Sequence, residues 1–294
     1  MADSYFYKKP STSAAGIFSI CFGLVTIATL VQIFLVTRKG KEKRVWVLLP
    51  FVLGGILETL GYIARICSIR SPTVLGPWIA QNLLILVAPA FFTMTYHLTI
   101  NRVFSILDAR KHSVLPLNWL AKVFVIADLL CFFLQGAGSG MLSRDTKSQQ
   151  DAGRKVVLAG SVLQLIVFVV FIVVIAIFQI KLKKNKTTQA VDYRYQPTKW
   201  RNWKSILVVL HVSSVFMILR CLLRSYEYAQ GENGHISRYE GYMYVFDATL
   251  MFLSMLAFTW QNLADYFYFM RYEARKTQDV VLEPVENYSD QKLT

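Results

Sequence analysis

Residues 208–260 read VVLHVSSVFMILRCLLRSYEYAQGENGHISRYEGYMYVFDATLMFLSMLAFTW, two long apolar runs flanking a short polar loop. Set into their adjoining ends are Arg220, Arg224 and Glu227 on the first run, and Glu240, Tyr244 and Asp247 on the second. Both triplets step by 4 and then 3 residues. That spacing keeps side chains on one face of a helix. Two apolar helices therefore each carry a polar stripe at the same end. Ionisable groups inside a membrane segment are costly and mark functional sites.

Working outward, the rest of the chain has the same apolar character. Of its 294 residues, 54% are hydrophobic and only 17% are charged, against roughly a quarter charged in an average soluble domain. Seven stretches are long and apolar enough to span a bilayer, at 14–36, 45–66, 77–100, 119–135, 155–180, 205–224 and 241–260. The expected fold is all-α: a polytopic membrane protein built as a seven-transmembrane-helix bundle. Residues 1–13 read as an outside tail, 14–262 as the membrane domain, and 263–294 as a cytoplasmic tail. That tail turns acidic and polar after RYEARK and reads as mostly disordered.

The net charge of +14 is explained by where the bases sit. Arg38, Lys39, Lys41, Lys43 and Arg44 crowd the first loop, and Lys181, Lys183, Lys184, Lys186, Arg194, Lys199, Arg201 and Lys204 the fifth. Arg102, Arg110 and Lys111 lie in the third. The second and sixth carry one each, Arg70 and Arg238. The fourth, with Arg144, Lys147, Arg154 and Lys155, is diluted by Asp145 and Asp151. By the positive-inside rule the N-terminus is outside and the C-terminus cytoplasmic. No basic face interleaved with aromatics supports a nucleic-acid partner. The four cysteines lie in or at the ends of spans, so no disulfide framework is expected.

Other spans carry polar groups too. The second holds Glu58, Tyr62 and Arg65, again 4 and 3 apart, with Gly54, Gly55 and Gly61 allowing close packing. The third holds Gln81 near its start and Pro89 near its middle. A mid-span proline frees a backbone carbonyl and kinks the helix. The fourth carries Asp128 and Gln135, then GAGSG as a flexible outside turn; the fifth carries Gln164. The first carries almost nothing polar and is expected to face lipid. Counted along each span, most of these groups share a layer nearer the N-terminal side. The other half is left with His97, Lys122 and His211. The expected consequence is a polar, partly hydrated cavity whose carboxylates outnumber its arginines, which suits a cation or amine. His97 and His211 sit alone on separate helices and read as packing residues.

These motifs resemble the fungal RTA-like family of seven-helix membrane proteins, the lipid-translocating exporters. The resemblance rests on ETLGYIAR (58–65), QNLLILVAPAFF (81–92) with Tyr96, DLLCFFLQGAGSG (128–140), GSVLQ (160–164), LRCLLRSYEYAQG (219–231) and YEGYMYVFDA (239–248), in order along the chain. The start, YFYKKPSTSAAGIFSICFGL, is also similar, although SAAGIF departs from the Asn that many members carry there. The resemblance implies movement or tolerance of amphipathic lipids, including sphingoid long-chain bases, sterol-like toxic compounds and porphyrins. It also implies resistance to such lipids or drugs, and the plasma membrane as the location, with vacuole or endosome behind it.

The functional expectation is a translocase, not an enzyme, with no cofactor. Its partners are membrane lipids and an amphipathic small molecule. Glu58, Tyr62, Arg65, Gln81, Asp128, Gln135, Gln164, Arg220, Arg224, Glu227, Glu240, Tyr244 and Asp247 are the expected translocation residues. No GxxxxGK[ST] loop is present for direct ATP drive. A seven-helix receptor or lipid sensor is the alternative, but the third span ends TINRVFS without an acidic-Arg-Tyr switch, and the seventh lacks Asn-Pro-x-x-Tyr. A porphyrin or haem transporter is the second alternative. An intramembrane metalloenzyme lacks an HExxH pair.

Overall fold

The computed structural model describes residues 11–39, 43–107, 117–142, 144, 146–185, 202–230, 241 and 243–267. Among these, every regular element is a helix. α1 spans Thr12–Lys39, and a 3₁₀ stretch at Lys43–Leu48 leads into α2, Leu49–Arg70. α3 is Leu75–Ile106, α4 Leu117–Leu142, α5 Lys147–Lys184 and α6 Trp203–Gln230. A π-helical turn, Met243–Ala248, runs straight into α7, Thr249–Trp260. The first six helices are long and apolar enough to cross a membrane. The turn and α7 together add 18 residues (243–260), about 27 Å at the α-helical rise.

Each helix packs on the next in sequence, and α1 meets α7, so the seven close into a ring. α3 also touches α6 across it. The order of burial follows. In the most apolar stretch of α3, 72% of residues are buried, against 28% in α1. α3 is therefore the central post and α1 the outermost. Ile17, Ile20, Leu24, Ile27 and Phe34 of α1, Phe133 of α4 and Val169 and Val173 of α5 all face outward. An apolar outer surface of this kind matches hydrocarbon and not water.

Small residues let the helices close. A side chain at Gly61 would begin 2.7 Å from Ile85 of α3, and one at Gly55 would collide with the Thr26 hydroxyl of α1. Gly54 sits against Phe92 and the Ala88 carbonyl. These are the close approaches expected of the three glycines on α2.

α4 corrects one expectation. GAGSG is not a turn: the helix runs through it to Leu142. Gly138 lies flat on α5, where a Cβ would stand 2.8 Å from both the Gly153 carbonyl and the Val157 nitrogen. Gly153 meets Gly138 and Leu142 in return. Glycine weakens an isolated helix, but here it permits backbone contact with a neighbour, and packing prevails. Gly138→Val is expected to lower stability by about 1–3 kcal/mol through overpacking. Thermal unfolding in detergent measures this, and an unchanged midpoint would contradict the crossing.

α1 needs a second correction. One side faces outward as expected, but Thr29 bonds Thr259 of α7 at 2.9 Å, and Gln32 Nε2 donates to the Thr259 carbonyl at 3.2 Å. The seventh span differs as well. Its first turn is π-helical, and the Thr249 hydroxyl bonds the Tyr244 carbonyl five residues back at 2.8 Å. Such turns recur at functional sites, and this one carries Tyr244 and Asp247.

Candidate functional site

Asp247 is the hub of the polar side chains. Arg220 and Arg224, one turn apart on α6, both pair with its carboxylate. Arg224 also reaches Glu227 at 3.1 Å. The 4-and-3 spacing on α6 thus lines three charges along one face, and α7 supplies the acid they converge on. Buried charges are tolerated when paired in this way.

Arg220 makes a further contact that α3 prepares. Pro89 has no N–H, so the carbonyl four residues before it, at Ile85, loses its helical partner. Arg220 Nη2 donates to that carbonyl at 3.1 Å. A freed acceptor deep in an apolar bundle needs such a donor. Gln81 lies one turn before Ile85; it is buried, and its Oε1 has no hydrogen-bond partner. Pro89→Ala would restore the amide and compete for the carbonyl. Pro89→Ala and Arg220→Met should therefore be non-additive by about 0.5–3 kcal/mol in a double-mutant cycle of unfolding. Simple additivity would count against the link.

α2 completes the cluster. Arg65 does not bridge to Glu58: its Nε donates to the Tyr244 hydroxyl at 3.0 Å, with the guanidinium 5.3 Å from that ring. The Tyr244 hydroxyl donates in turn to the Ser11 carbonyl at 3.3 Å, tying in the chain entering α1. Tyr244 thus faces α1 and α2 while Asp247 faces α6. Phe18 stacks on Tyr244 and Phe22 on Tyr62, with ring centroids 5.8 and 5.6 Å apart. Two α1 aromatics therefore cover the cluster from its side.

Glu58 is the odd member. It is 1% exposed, and its Oε1 has no hydrogen-bond partner. Arg220, Arg224 and Asp247 are within its electrostatic reach. The Tyr62 hydroxyl beside it is buried and also unpartnered. A buried polar oxygen without a donor is costly. The cluster thus has one wall of satisfied ion pairs and one bare carboxyl oxygen. Side-chain exposure grades across it, from 31% at Glu227 through 13% at Arg224 to 3% at Arg220. The most exposed member, Glu227, lies toward the C-terminal end of α6, and the most buried, Arg220, lies two turns before it.

The remaining expected residues lie elsewhere. Gln135 donates to Gln164 at 2.7 Å, a bridge between α4 and α5. Asp128 does not join the Arg cluster. It turns to α3, where His97 Nδ1 lies 2.7 Å from one oxygen and the Thr93 hydroxyl donates to the other at 2.9 Å. Asp128 and Gln135 are 7 residues apart, yet each meets a different neighbouring helix. His97 is therefore not a lone packing residue. Among the described residues His211 bonds within its own helix, Nδ1 to the Leu207 carbonyl at 2.8 Å. Glu240 lies outside the described residues. Without Asp128 and Glu240, three acids (Glu58, Glu227, Asp247) face three arginines (Arg65, Arg220, Arg224). The expected surplus of carboxylates counted both Asp128, which turns elsewhere, and Glu240. Among them, too, no three His, Cys, Asp or Glu side chains gather as a metal set.

Sequence reading missed His97 with Thr93, the Tyr96–Ser254 bond at 2.7 Å, and Tyr228 beside Arg224. The row Ile85, Pro89, Thr93, His97, at steps of four on α3, is the signal that points to the first pair.

Comparison with known proteins gives the chain's family. Protein RTA1 of Saccharomyces cerevisiae is 28% identical over 85% of this chain and 81% of its own length. Protoporphyrin uptake protein 1 of the same yeast is 29% identical over 86% of this chain and 90% of its own. The yeast sphingoid long-chain base transporter RSB1 is 22% identical over 82% and 68% respectively. No solved structure is significantly similar. The sequence profile of the RTA1 like protein family matches residues 51–269, which hold α2 to α7 and both polar stripes, and the chain belongs to that family.

Proposed function

We propose that this chain moves amphipathic lipids bearing a cationic head group, such as sphingoid long-chain bases, across or out of the bilayer. The observation that carries the reading is the bare, buried Glu58 oxygen beside a pinned Asp247–Arg220–Arg224 group. An ammonium head group supplies the donors that Glu58 lacks, while its tail remains against the apolar helices. Entry follows the exposure grade past Glu227 and Arg224. Arg224 already shares two acids, so it can swing to Glu227 as a cationic head group takes its place at Asp247. Tyr62 donates to or accepts from the same head group, and Arg65 with Tyr244 holds the α7 turn in place. Gln81 lies on the α3 face toward this path, whereas Gln135, Gln164 and Asp128 support the α3–α5 wall.

In this reading the N-terminus is outside and the C-terminus cytoplasmic, in the plasma membrane. Two sequons test the orientation: Asn185-Lys-Thr at the end of α5 and Asn287-Tyr-Ser. Neither is expected to carry a glycan. A mobility shift on glycosidase treatment would place the polar cluster on the other leaflet.

A second reading is favoured by the match to the protoporphyrin uptake protein along nearly its whole length. Porphyrin propionates would pair with Arg65, Arg220 and Arg224 in place of the acids. One experiment separates the two. Purified protein in liposomes is given NBD-labelled sphingosine or protoporphyrin IX, and transfer is followed by fluorescence. The amine reading expects transfer of the sphingosine and competition by unlabelled long-chain amines. Transfer of protoporphyrin alone would replace it with the second reading.

A further inference from the structure

A second buried acid–base pair lies deeper in the bundle, and the head-group site does not use it. His97 is 1% exposed and Asp128 3% exposed. Nδ1 of His97 lies 2.7 Å from Asp128 Oδ2. A carboxylate oxygen accepts, so Nδ1 carries the hydrogen. The neutral ring then presents its lone pair at Nε2, and Nε2 is buried with no partner. The ring is enclosed by Phe124, stacked at 4.4 Å, and Phe171, edge-on at 4.5 Å, with Phe168 at 6.3 Å. Aromatic faces stabilise a cation laid over them. Proton addition at Nε2 makes an imidazolium and takes the pair from a net charge of −1 to zero.

The surroundings leave few rivals for the proton. On α4, Asp128 contacts the ring, and Cys131, one turn on, interacts with Asp128. From α6, Cys221 is a buried thiol within electrostatic range of Cys131. α5 contributes Phe168 and Phe171 to the ring's surroundings. Lys122 sits on an exposed face of α4.

The pair is also connected to the head-group cluster by geometry. Thr93, which holds the other Asp128 oxygen, and His97 are successive i+4 steps on α3. Pro89 and Ile85 precede them on the same row. From Ile85 to His97 is about 18 Å along the helix. Arg220 grips α3 on one side of the proline, and Asp128 grips it on the other. Prolines are where helices bend, so both sites act on one joint.

We propose that His97 and Asp128 form a proton-binding site through which this chain couples cargo movement to a pH gradient. The proposal rests on the transport reading above. In the step, a proton from one aqueous side adds to the Nε2 lone pair, and the same N–H bond breaks on the other side. No other bond changes.

The full chain in liposomes tests this, with NBD-sphingosine as cargo and an internal dye reporting pH. A one-unit gradient of the productive sign is expected to speed wild-type transfer by up to about tenfold, the factor one pH unit represents for one coupled proton. Cargo should also evoke a proton signal. His97→Gln and Asp128→Asn should lose the acceleration and the proton signal, yet keep wild-type exchange without a gradient. Glu58→Gln should lose transfer under both conditions. Acceleration that survives in both dyad variants overturns the proposal, as does wild-type transfer indifferent to gradients of either sign. If wild-type protein moves no NBD-sphingosine, the cargo reading fails. The dyad is then judged by nitrogen-15 NMR of histidine-labelled wild-type protein in lipid, which also serves if a variant does not fold. Reversible proton gain at Nε2 of His97 over the pH range of the gradient supports the site. A ring that stays neutral throughout overturns it.

Discussion

Asp247→Ala is expected to destabilise the bundle by about 3–5 kcal/mol, the usual cost of stranding a buried partner charge. Two guanidinium groups converge on this carboxylate, and both are largely buried. Arg224 keeps Glu227, but among the described residues Arg220 keeps the neutral Ile85 carbonyl as its one hydrogen-bond partner, with Glu58 in electrostatic reach but not bonded to it. A loss of that size lowers an unfolding midpoint by about 10 °C in a chain of this length. Two companion variants separate charge from packing. Asp247→Asn retains the volume and one acceptor oxygen and should fall between wild type and alanine. Adding Arg220→Met to Asp247→Ala should recover much of the loss, because an apolar side chain of similar volume needs no counter-charge. If the double variant is no more stable than Asp247→Ala, the two residues do not share an energetic contact.

Glu58→Gln is expected to behave in the opposite way, with little change in stability and a large loss of transport. The carboxyl oxygen has no donor to lose, and glutamine keeps the shape. What disappears is the carboxyl group that, ionised beside the cargo, recognises an ammonium group. A charge-assisted hydrogen bond in a buried site contributes about 1.5–3 kcal/mol, so transfer of NBD-sphingosine should fall about 10–100-fold. Glu58→Leu should lose transfer as well, while unfolding at least as high as wild type, since a bare buried carboxyl is removed. Transfer at the wild-type rate by well-folded Glu58→Gln would remove the amine site. Porphyrin movement, if present, should be untouched by this variant and impaired by Arg65→Met.

Tyr244 and Asp247 of the second triplet turn to different neighbours, whereas the membrane class, the helix count and the line of charges on α6 were legible in the chain. They depend on local rules: about 20 apolar residues span hydrocarbon, and steps of 3 and 4 share a helix face. Arg220, Arg224 and Asp247 came together because their positions on helix ends are set by that spacing. Pro89 likewise announced a freed carbonyl at Ile85, because the missing N–H is a covalent fact.

Which donor would take that carbonyl was decided only by the approach of α6 to α3. Asp128 shows the same limit. Its height on α4 can be counted, but the neighbour it faces depends on how α4 rotates against α3 and α5. GAGSG read as a turn because glycine and serine are weak helix formers. It is helix because Gly138 and Gly153 let two backbones touch, a gain that no single segment contains. The bare Glu58 oxygen and the His97–Asp128 pair are products of the same cause. Sequence spacing fixes where a side chain lies along its own helix, and only packing fixes what stands opposite.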